Sequence, residues 1–249
     1  MINFLKRIEK ENFIKILLAV ESGSMAWGIQ SKDSDYDIRF VFKRKKDEYL
    51  SLDKKPDVLE PKNGNEDYVG FDIFKFLQLL RNSNPSVIEW LFSPIVYSNN
   101  FLLYNALTNE IKTNFNPLAL FYHYKSMCKQ NYVKYLKSGN EVTYKKYLYA
   151  MRGLVNAEWV LNNEELPYVD FNRTLNSSLK FIPKNIAAEL KNMITLKMEG
   201  KEKDIIKNIV KIDNYIEKFL KSNEEPNIKK KFDIRIFNSI LKANLDKNK

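Results

Sequence analysis

The sequence predicts an α+β fold, in which a small mixed β-sheet with packed helices is followed by a mostly α-helical C-terminal domain. Two observations support this prediction. Up to about Tyr97, apolar and β-branched runs alternate with amphipathic segments, and beyond Asn84-Pro85 the pattern becomes helical almost throughout. We therefore expect two domains, residues 1–113 and residues 114–249.

The first predicted elements are a helix, a strand, a Gly-Ser turn and a second strand. INFLKRIEKENF is amphipathic and predicts the helix, and the apolar run IKILLAV predicts a buried strand that breaks at Ser22-Gly23-Ser24. DYDIRFVF alternates and predicts the second strand. Residues 47–67 are rich in Lys, Pro, Asn, Asp and Gly, which indicates an exposed loop with one short helix around DEYLSL. DYVGF then predicts a third strand that runs into the helix IFKFLQLLRN.

Helix signals dominate the rest of the chain. Asn116-Pro117 combines a favoured N-cap residue with proline at the first helical position, and the helix it begins should end near Ser138-Gly139. Glu224-Glu225-Pro226 predicts a break between helices. Further helices are predicted at Val142–Asn162, Pro183–Met198, Lys203–Ser222 and Lys231–Leu245.

The composition predicts a soluble, folded protein. A chain of 249 residues with 44% hydrophobic content can bury a substantial core. No apolar run approaches the ~20 residues of a membrane-spanning helix, and residues 1–12 lack the features of a signal peptide. The single cysteine, Cys128, cannot form an internal disulfide. We therefore expect a cytoplasmic protein without a membrane partner, and the sequence carries no signal for an oligomeric state.

The charge of the chain favours polyanionic partners. The formal net charge is +10 and the sequence pI is about 9.3, and nucleotides and nucleic acids are both polyanions. The lysine-rich runs at 43–46 and 229–231 have two interpretations. For each run alone, a solvated surface is favoured over a nucleic-acid patch.

Asp35 and Asp37 are the first candidate metal ligands. On a strand successive side chains alternate faces, so both carboxylates are expected on one face, about 6–7 Å apart. Two carboxylates so placed repel each other unless a divalent cation lies between them, and Mg²⁺ prefers one or two carboxylates with phosphate oxygens and water. Gly23-Ser24 supplies a phosphate site, because glycine lets the backbone approach closely and the serine hydroxyl can donate. Either motif alone is common in turns; their combination on consecutive strands is specific.

Asp72, at the end of the predicted strand DYVGF, is the candidate third carboxylate. It would share two metal ions with Asp35 and Asp37, or deprotonate an attacking hydroxyl. Asp is also a favoured N-cap residue, and Asp72 directly precedes the helix IFKFLQLLRN. Metal ligand and helix cap are both open interpretations of Asp72.

These motifs resemble the DNA polymerase beta-like nucleotidyltransferase superfamily, whose signature is Gly-Ser, about ten residues, Asp-x-Asp and a later carboxylate. Within it, the chain looks like a family of predicted nucleotidyltransferases that includes RNA-ligase-associated members. The resemblance covers about residues 21–154 and implies a nucleotidyltransferase catalytic domain, with Gly23 and Ser24 on the nucleotide and Asp35, Asp37 and Asp72 as catalytic metal ligands. The matching phrases are ESGSMAWGIQSKDSDYDIRFVF, SNPSVIEWLFSPIVY and KKYLYAMRGL.

The resemblance also implies the reaction. A nucleoside monophosphate would pass from a nucleoside triphosphate to a hydroxyl acceptor, with two Mg²⁺ or Mn²⁺ ions and release of pyrophosphate. An RNA end is the leading acceptor, because of the basic charge and the RNA-ligase association. Small-molecule or protein hydroxyls are alternatives, and so is a non-catalytic nucleotide- or RNA-binding module with the same fold.

Lys145, Tyr149 and Arg152 are candidate nucleotide-binding residues in the second domain. In a helix they lie on one side at i, i+4 and i+7, opposite an apolar stripe. Lysine and arginine can pair with triphosphate oxygens, and tyrosine can stack on a base or sugar. The alternative is a solvated helix face.

Overall fold

The computed structural model describes residues 1–61, 66–137, 139, 141–227, 230 and 232–246. Within these ranges the fold is α+β, as predicted, and combines one mixed sheet of five strands with helices. The strands are β1 (Lys15–Glu21), β2 (Ile38–Lys43), β3 (Val58–Leu59), β4 (Tyr68–Asp72) and β5 (Val96–Asn99). The α-helices are α1 (Ile2–Asn12), α2 (Gly23–Ala26), α3 (Lys46–Tyr49), α4 (Ile73–Arg81), α5 (Pro85–Leu91), α6 (Tyr104–Asn114), α7 (Pro117–Asn131), α8 (Tyr144–Asn163), α9 (Phe171–Ser177), α10 (Lys184–Met198), α11 (Val210–Lys221) and α12 (Ile234–Asp246).

The strand order in the sheet is β3-β4-β2-β1-β5. β2 and β4 run parallel, whereas β1 pairs antiparallel with β2 and β5, and β3 pairs antiparallel with β4. Residues 16–20 of β1 are each at most 4% exposed. Burial on both faces explains why this strand is an unbroken apolar run rather than an alternating one.

Apolar side chains of α1 complete one core of the sheet. Leu5 and Ile8 of this helix pack into a cluster with Ile16, Phe40 and Phe42. The helix ends at Phe13, which adopts the left-handed conformation with φ of 53° and closes the last turn. The chain then enters β1, so the amphipathic helix followed by a buried strand is confirmed.

Asparagine caps and one glycine shape the helical part. Asn116 accepts hydrogen bonds from the backbone N–H groups of Leu118 and Ala119, so the predicted start of α7 is confirmed. In α8, a Cβ atom at Gly153 would lie 2.8 Å from the backbone nitrogen of Cys128 in α7. Glycine therefore allows the two helices to approach closely. Cys128 is fully buried, and burial raises the pKa of its thiol to about 12.

Three elements differ from the sequence prediction. β5 lies in a stretch expected to be helical, and it forms because residues 96–99 pair with β1. β3 lies within the predicted loop and pairs with β4.

The start of α11 also differs from the prediction. It begins at Val210 rather than at Lys203, because the N–H of Ile209 donates to the Tyr147 hydroxyl at 2.9 Å and Ile205 bridges to Thr143. Residues 132–137, after α7, form a π-helix.

The two basic runs are only partly a solvated surface. Lys43 is 9% exposed, and its ammonium donates to the carbonyl oxygen of Asn244 at 2.6 Å. Lys45 and Lys46 are exposed, as predicted. Lys229 and Lys231 of the second run lie outside the described residues, as does Ser138 at the predicted helix end.

The chain divides into two compact units. The first comprises Met1–Ala26, Asp35–Phe115 and the C-terminal helix α12, and the second comprises Trp27–Ser34 and Asn116–Lys230. The break at Phe115 is close to the expected boundary at residue 113. Residues 27–34, however, belong to the second unit rather than the first, and α12 belongs to the first unit rather than the second. The assignment of separate functions to two domains stays a prediction. No helix in the described part of the chain is long and apolar enough to cross a lipid bilayer.

Candidate active site

The Gly-Ser turn lies directly against the carboxyl group of Asp37. Gly23 has a φ of +59°, and a Cβ atom at this position would lie 1.7 Å from Oδ2 of Asp37. Glycine is therefore required twice, once by the left-handed backbone and once by the close approach. The N–H of Ser22 donates to the carbonyl of Asp37 at 2.9 Å, and Ser24 is 9% exposed. The structure thus brings the predicted turn and the second predicted aspartate together.

Arg39 joins Asp37 to a second carboxylate that the sequence analysis missed. The Arg39 guanidinium lies 3.2 Å from Oδ1 of Asp37 and 2.8 Å from Oδ1 of Asp67. Burial raises the pKa of Asp37 above its usual value; Arg39 opposes this shift, whereas the nearby carboxylates of Asp67 and Glu21 add to it. Asp37 and Asp67 therefore form a pair of like charges close enough to interact.

Asp35 lies on an open cleft rather than on the strand. β2 begins only at Ile38, so both Asp35 and Asp37 precede it and the expected alternation on one strand face is wrong. Asp35 is exposed and shares with Asp67 the lining of a cleft of 680 Å³, a volume within the ~300–1,000 Å³ usual for small-molecule sites. Glu60 and Glu66 line the same cleft.

Asp72 lies at the other end of the parallel strand pair. Ile38 of β2 is opposite Tyr68, whereas Asp72 is opposite Phe42. Four residues at ~3.3 Å each place these levels about 13 Å apart. The prediction that Asp72 joins Asp35 and Asp37 is therefore not supported by the geometry.

The cap interpretation of Asp72 fits the structure. Its side chain accepts the N–H of Phe74 at 2.9 Å at the start of α4, and the Tyr49 hydroxyl donates to its other oxygen at 2.8 Å. Burial raises the pKa of Asp72, and these two hydrogen bonds oppose that shift. Both oxygens are thus occupied by structural hydrogen bonds.

Glu21 is a second missed carboxylate, at the end of β1. It is fully buried, and its Oε1 accepts the backbone N–H of Asp37 at 2.6 Å. The Tyr97 hydroxyl donates to Oε2, and burial with this contact raises the pKa of Tyr97. No sequence signal singled out Glu21, because it simply precedes the Gly-Ser turn, whereas Asp67 was available as the first residue of DYVGF.

The carboxylates fit a cation that arrives with phosphate. Across the residues that the structure describes, no group of three or more His, Cys, Asp or Glu side chains is arranged to hold a metal ion. Mg²⁺ needs less, because it binds through one or two carboxylates together with phosphate oxygens and water. The Asp37–Asp67 pair beside the Gly-Ser turn meets that requirement.

The helix face in the second unit is only partly solvated. Arg152 is 5% exposed, and its guanidinium carbon lies 3.7 Å from the ring centre of Trp27. Tyr149 contacts the same ring edge to face, with ring centres 5.6 Å apart. Lys145 is 42% exposed at its side chain and lies 3.5 Å from Oε1 of Glu202. Contact of these three residues with a nucleotide stays a prediction.

This chain is similar to one curated protein over most of its length. The chain is 38% identical over 218 residues to uncharacterized protein YcgL of Bacillus subtilis (strain 168), which covers 87% of this chain and 83% of the relative. A nucleotidyltransferase-like protein from Exiguobacterium sibiricum 255-15 aligns in structure with a TM-score of 0.28 and 11% identity, over 78% of this chain and 72% of that protein.

Nearly the whole chain matches one protein family. The model described as RNA repair pathway DNA polymerase beta family matches residues 1–241. This match includes the Gly-Ser turn, the aspartates and nearly all of the helical part, so it extends well beyond the 21–154 range of the resemblance. The chain therefore belongs to the RNA repair pathway DNA polymerase beta family, within the polymerase beta-like nucleotidyltransferases.

Proposed function

We propose that this protein is a metal-dependent nucleotidyltransferase that transfers a nucleoside monophosphate from a nucleoside triphosphate to a hydroxyl group at an RNA end. The observation that carries the proposal is the contact of Gly23 with the carboxyl group of Asp37, beside Asp67. A turn whose backbone can approach phosphates then lies next to a carboxylate pair that suits a divalent cation.

The charge of the cleft supports the need for cations. Asp35, Glu60, Glu66 and Asp67 all line it. A triphosphate is itself strongly negative, so four carboxylates would repel it in the absence of counterions. The Asp37–Asp67 pair would hold Mg²⁺ or Mn²⁺ together with phosphate oxygens, and Asp35 lines the same cleft as Asp67. When bound, the metal lowers the pKa of the attacking hydroxyl and neutralises the leaving pyrophosphate.

The residues of the chain position the reacting groups. The Gly-Ser turn holds the phosphates through backbone N–H groups and the Ser24 hydroxyl. The acceptor oxygen bonds to the α-phosphorus as the bond from that phosphorus to the bridging oxygen breaks, which releases pyrophosphate. A carboxylate oxygen of Asp67 accepts the proton of the acceptor hydroxyl. Asp67 is the more accessible of the two aspartates, because its side chain is 53% exposed and that of Asp37 is 27% exposed.

An RNA end is the acceptor that the available observations favour. The family description refers to an RNA repair pathway, and the chain carries a formal net charge of +10. A basic protein concentrates polyanions near its surface.

Labelled nucleotide transfer tests the proposal. The protein is incubated with each of four labelled triphosphates, Mn²⁺, and separate RNA, protein and metabolite fractions. We expect label in RNA and release of pyrophosphate, and neither with Asp37→Asn. If the label appears only in protein or only in metabolites, the acceptor is a protein or a small molecule and not RNA. Triphosphate binding without transfer to any fraction would indicate a binding module instead.

Salt dependence separates the acceptor classes independently. Neutralising several RNA phosphates releases counterions, so affinity for RNA falls steeply with salt. We expect the KM for the acceptor to rise at least ~10-fold between 50 and 200 mM salt, as for a protein making several phosphate contacts. The KM for the triphosphate at fixed Mn²⁺ is the control. If the KM for the acceptor changes with salt no more than the KM for the triphosphate does, the RNA assignment is contradicted.

Substitution of Arg152 tests how much its contact with Trp27 contributes to stability. Arg152→Ala removes the stacked guanidinium and should lower the free energy of unfolding by roughly 2 kcal/mol, the value of a desolvated cation–π contact. Arg152→Lys should recover only part of it, because an ammonium lacks the planar fork. Denaturant unfolding measures both.

Trp27→Ala is the matched control for a nucleotide contact, since it removes the same stacking but keeps the guanidinium. If Arg152 binds phosphate, Arg152→Ala weakens triphosphate binding in a direct titration much more than Trp27→Ala does. Equal effects of the two variants would restrict Arg152 to packing.

A further inference from the structure

We infer that Glu21, which is fully buried, and Tyr97, which is half-buried, form a brace that positions Asp37, which makes both of them positioning residues for the transfer reaction. This inference rests on the proposed function. Neither residue belongs to the Gly-Ser or Asp-x-Asp motif. The Glu21 carboxylate joins the end of β1 to the segment before β2 and to β5, and the Asp37 backbone is one of the groups it holds.

Every polar atom of Glu21 that the brace uses has a defined partner. Oε1 accepts the N–H of Asp37 at 2.6 Å, and the Tyr97 hydroxyl donates to Oε2. The carbonyl oxygen of Glu21 accepts the Ser93 hydroxyl at 2.6 Å, and its N–H donates to the carbonyl of Ile95 at 3.0 Å. Side chain and backbone are thus fixed at the same point, so the carboxylate has little freedom to move.

Burial of the Glu21 carboxylate is unfavourable in free energy unless other interactions offset it. Glu21 is 0% exposed. Removing a charge from water is unfavourable unless hydrogen bonds replace the lost hydration. An apolar residue at the end of β1 would extend the apolar strand without that cost. The carboxylate is therefore better explained by what it holds than by packing.

What it holds is the backbone on which the Asp37 carboxylate stands. The carboxyl group of Asp37 is limited on one side by Gly23 and on another by Arg39. With its N–H held by Glu21 and its carbonyl by the N–H of Ser22, the residue is fixed at main chain and side chain alike. A shift of ~1 Å in a group that orients reactants can cost ~10²-fold in rate, so loss of the brace should reach the reaction through Asp37.

Glu21→Leu tests the brace, because leucine is similar in size and accepts no hydrogen bond. Glu110→Leu is the matched control: Glu110 is 7% exposed in the same unit, and its Oε1 accepts the N–H of Asp233 at 3.1 Å. Glu21→Gln keeps an oxygen acceptor for Asp37 and is the rescue variant. The readouts are kcat and KM for the triphosphate, Mn²⁺ affinity by electron paramagnetic resonance, and hydrogen exchange of the Asp37 amide.

We expect Glu21→Leu to lower kcat by ~10–100-fold, the range that a misplaced orienting group produces, with a much smaller change in KM. Mn²⁺ affinity should fall, and the Asp37 amide should exchange at least ~10-fold faster, as for a backbone bond that opens locally. Glu21→Gln should restore most of each property. Glu110→Leu should lower the melting temperature without changing kcat, Mn²⁺ affinity or exchange at Asp37.

A second pair of variants covers the case in which Glu21→Leu does not fold. Tyr97→Phe removes one donor to the carboxylate, and Tyr104→Phe removes a comparable hydroxyl bond to the carbonyl of Leu91. Only Tyr97→Phe should lower kcat. If folded Glu21→Leu or Tyr97→Phe keeps the kcat of the parent and its rate of hydrogen exchange at the Asp37 amide, the brace is overturned and the proposed function is not. A parent that binds no Mn²⁺ and transfers no nucleotide would overturn the proposed function and the catalytic role of the brace with it.

Discussion

Replacing Asp67 with asparagine is expected to lower nucleotide transfer by at least ~10³-fold, because a metal-held transition state depends on several kcal/mol of charge stabilisation and each ~1.4 kcal/mol is tenfold in rate. Asp67 shares the Arg39 guanidinium with Asp37 and lines the cleft that also contains Asp35. Asparagine keeps the size of the side chain but not its charge. Asp37→Asn and the double variant Asp35→Asn with Asp37→Asn should lose transfer equally, with the fold retained.

Asp72→Asn is the control that separates the two candidate third carboxylates. Asparagine is as good an N-cap as aspartate, so the bond to the Phe74 N–H is largely kept. We expect a loss of about 1 kcal/mol or less in the free energy of unfolding, the size of one hydrogen bond, and transfer near that of the parent. Inactive Asp72→Asn together with active Asp67→Asn would reverse the assignment.

The choice between Asp67 and Asp72 shows where the sequence stops being informative. The strand DYVGF was predicted correctly, and an aspartate stands at each of its ends. Which end meets Asp37 depends on whether β4 runs parallel or antiparallel to β2, and on its register. Neither is encoded in the local alternation of side chains, because both directions place the same residues on the same faces.

Local signals were sufficient where one short segment decides the structure. The apolar run after α1 and the asparagine-proline pairs before α5 and α7 are in the predicted places. The strand also breaks before Gly23 as predicted, but Gly23 and Ser24 begin the short helix α2. β5 was missed because its four residues become a strand only through pairing with β1. Glu21 was missed for a related reason, since its partners Asp37 and Tyr97 are 16 and 76 residues away in the sequence.

The helix face of α8 shows the same limit within the second unit. Its amphipathic spacing predicted that Lys145, Tyr149 and Arg152 share one side. The spacing did not reveal that Trp27, more than a hundred residues earlier, packs on Tyr149 and Arg152. A polar residue at a helix position is therefore only a candidate for solvent exposure until the segments that pack on it are known.

Gly23→Ala is expected to lower transfer by at least ~10²-fold, the cost of moving a reacting group by ~1 Å. The new Cβ would lie 1.7 Å from Oδ2 of Asp37, so the carboxylate or the turn has to move by more than an ångström. Either movement separates the phosphate-binding turn from the metal-binding carboxylate. The φ of +59° adds backbone strain of about 1–2 kcal/mol for any residue with a side chain.

Gly200→Ala separates strain from the loss of space. Gly200 has a φ of +88°, and a Cβ there would meet nothing within 4 Å. It should therefore cost only the left-handed strain, about 1–2 kcal/mol in denaturant unfolding, and leave kcat unchanged. Gly23→Ala should lose more stability than Gly200→Ala and, alone of the two, lose transfer and Mn²⁺ affinity. Parental transfer by folded Gly23→Ala would mean that the turn and Asp37 do not act together, because the reaction would then tolerate the displacement of one from the other.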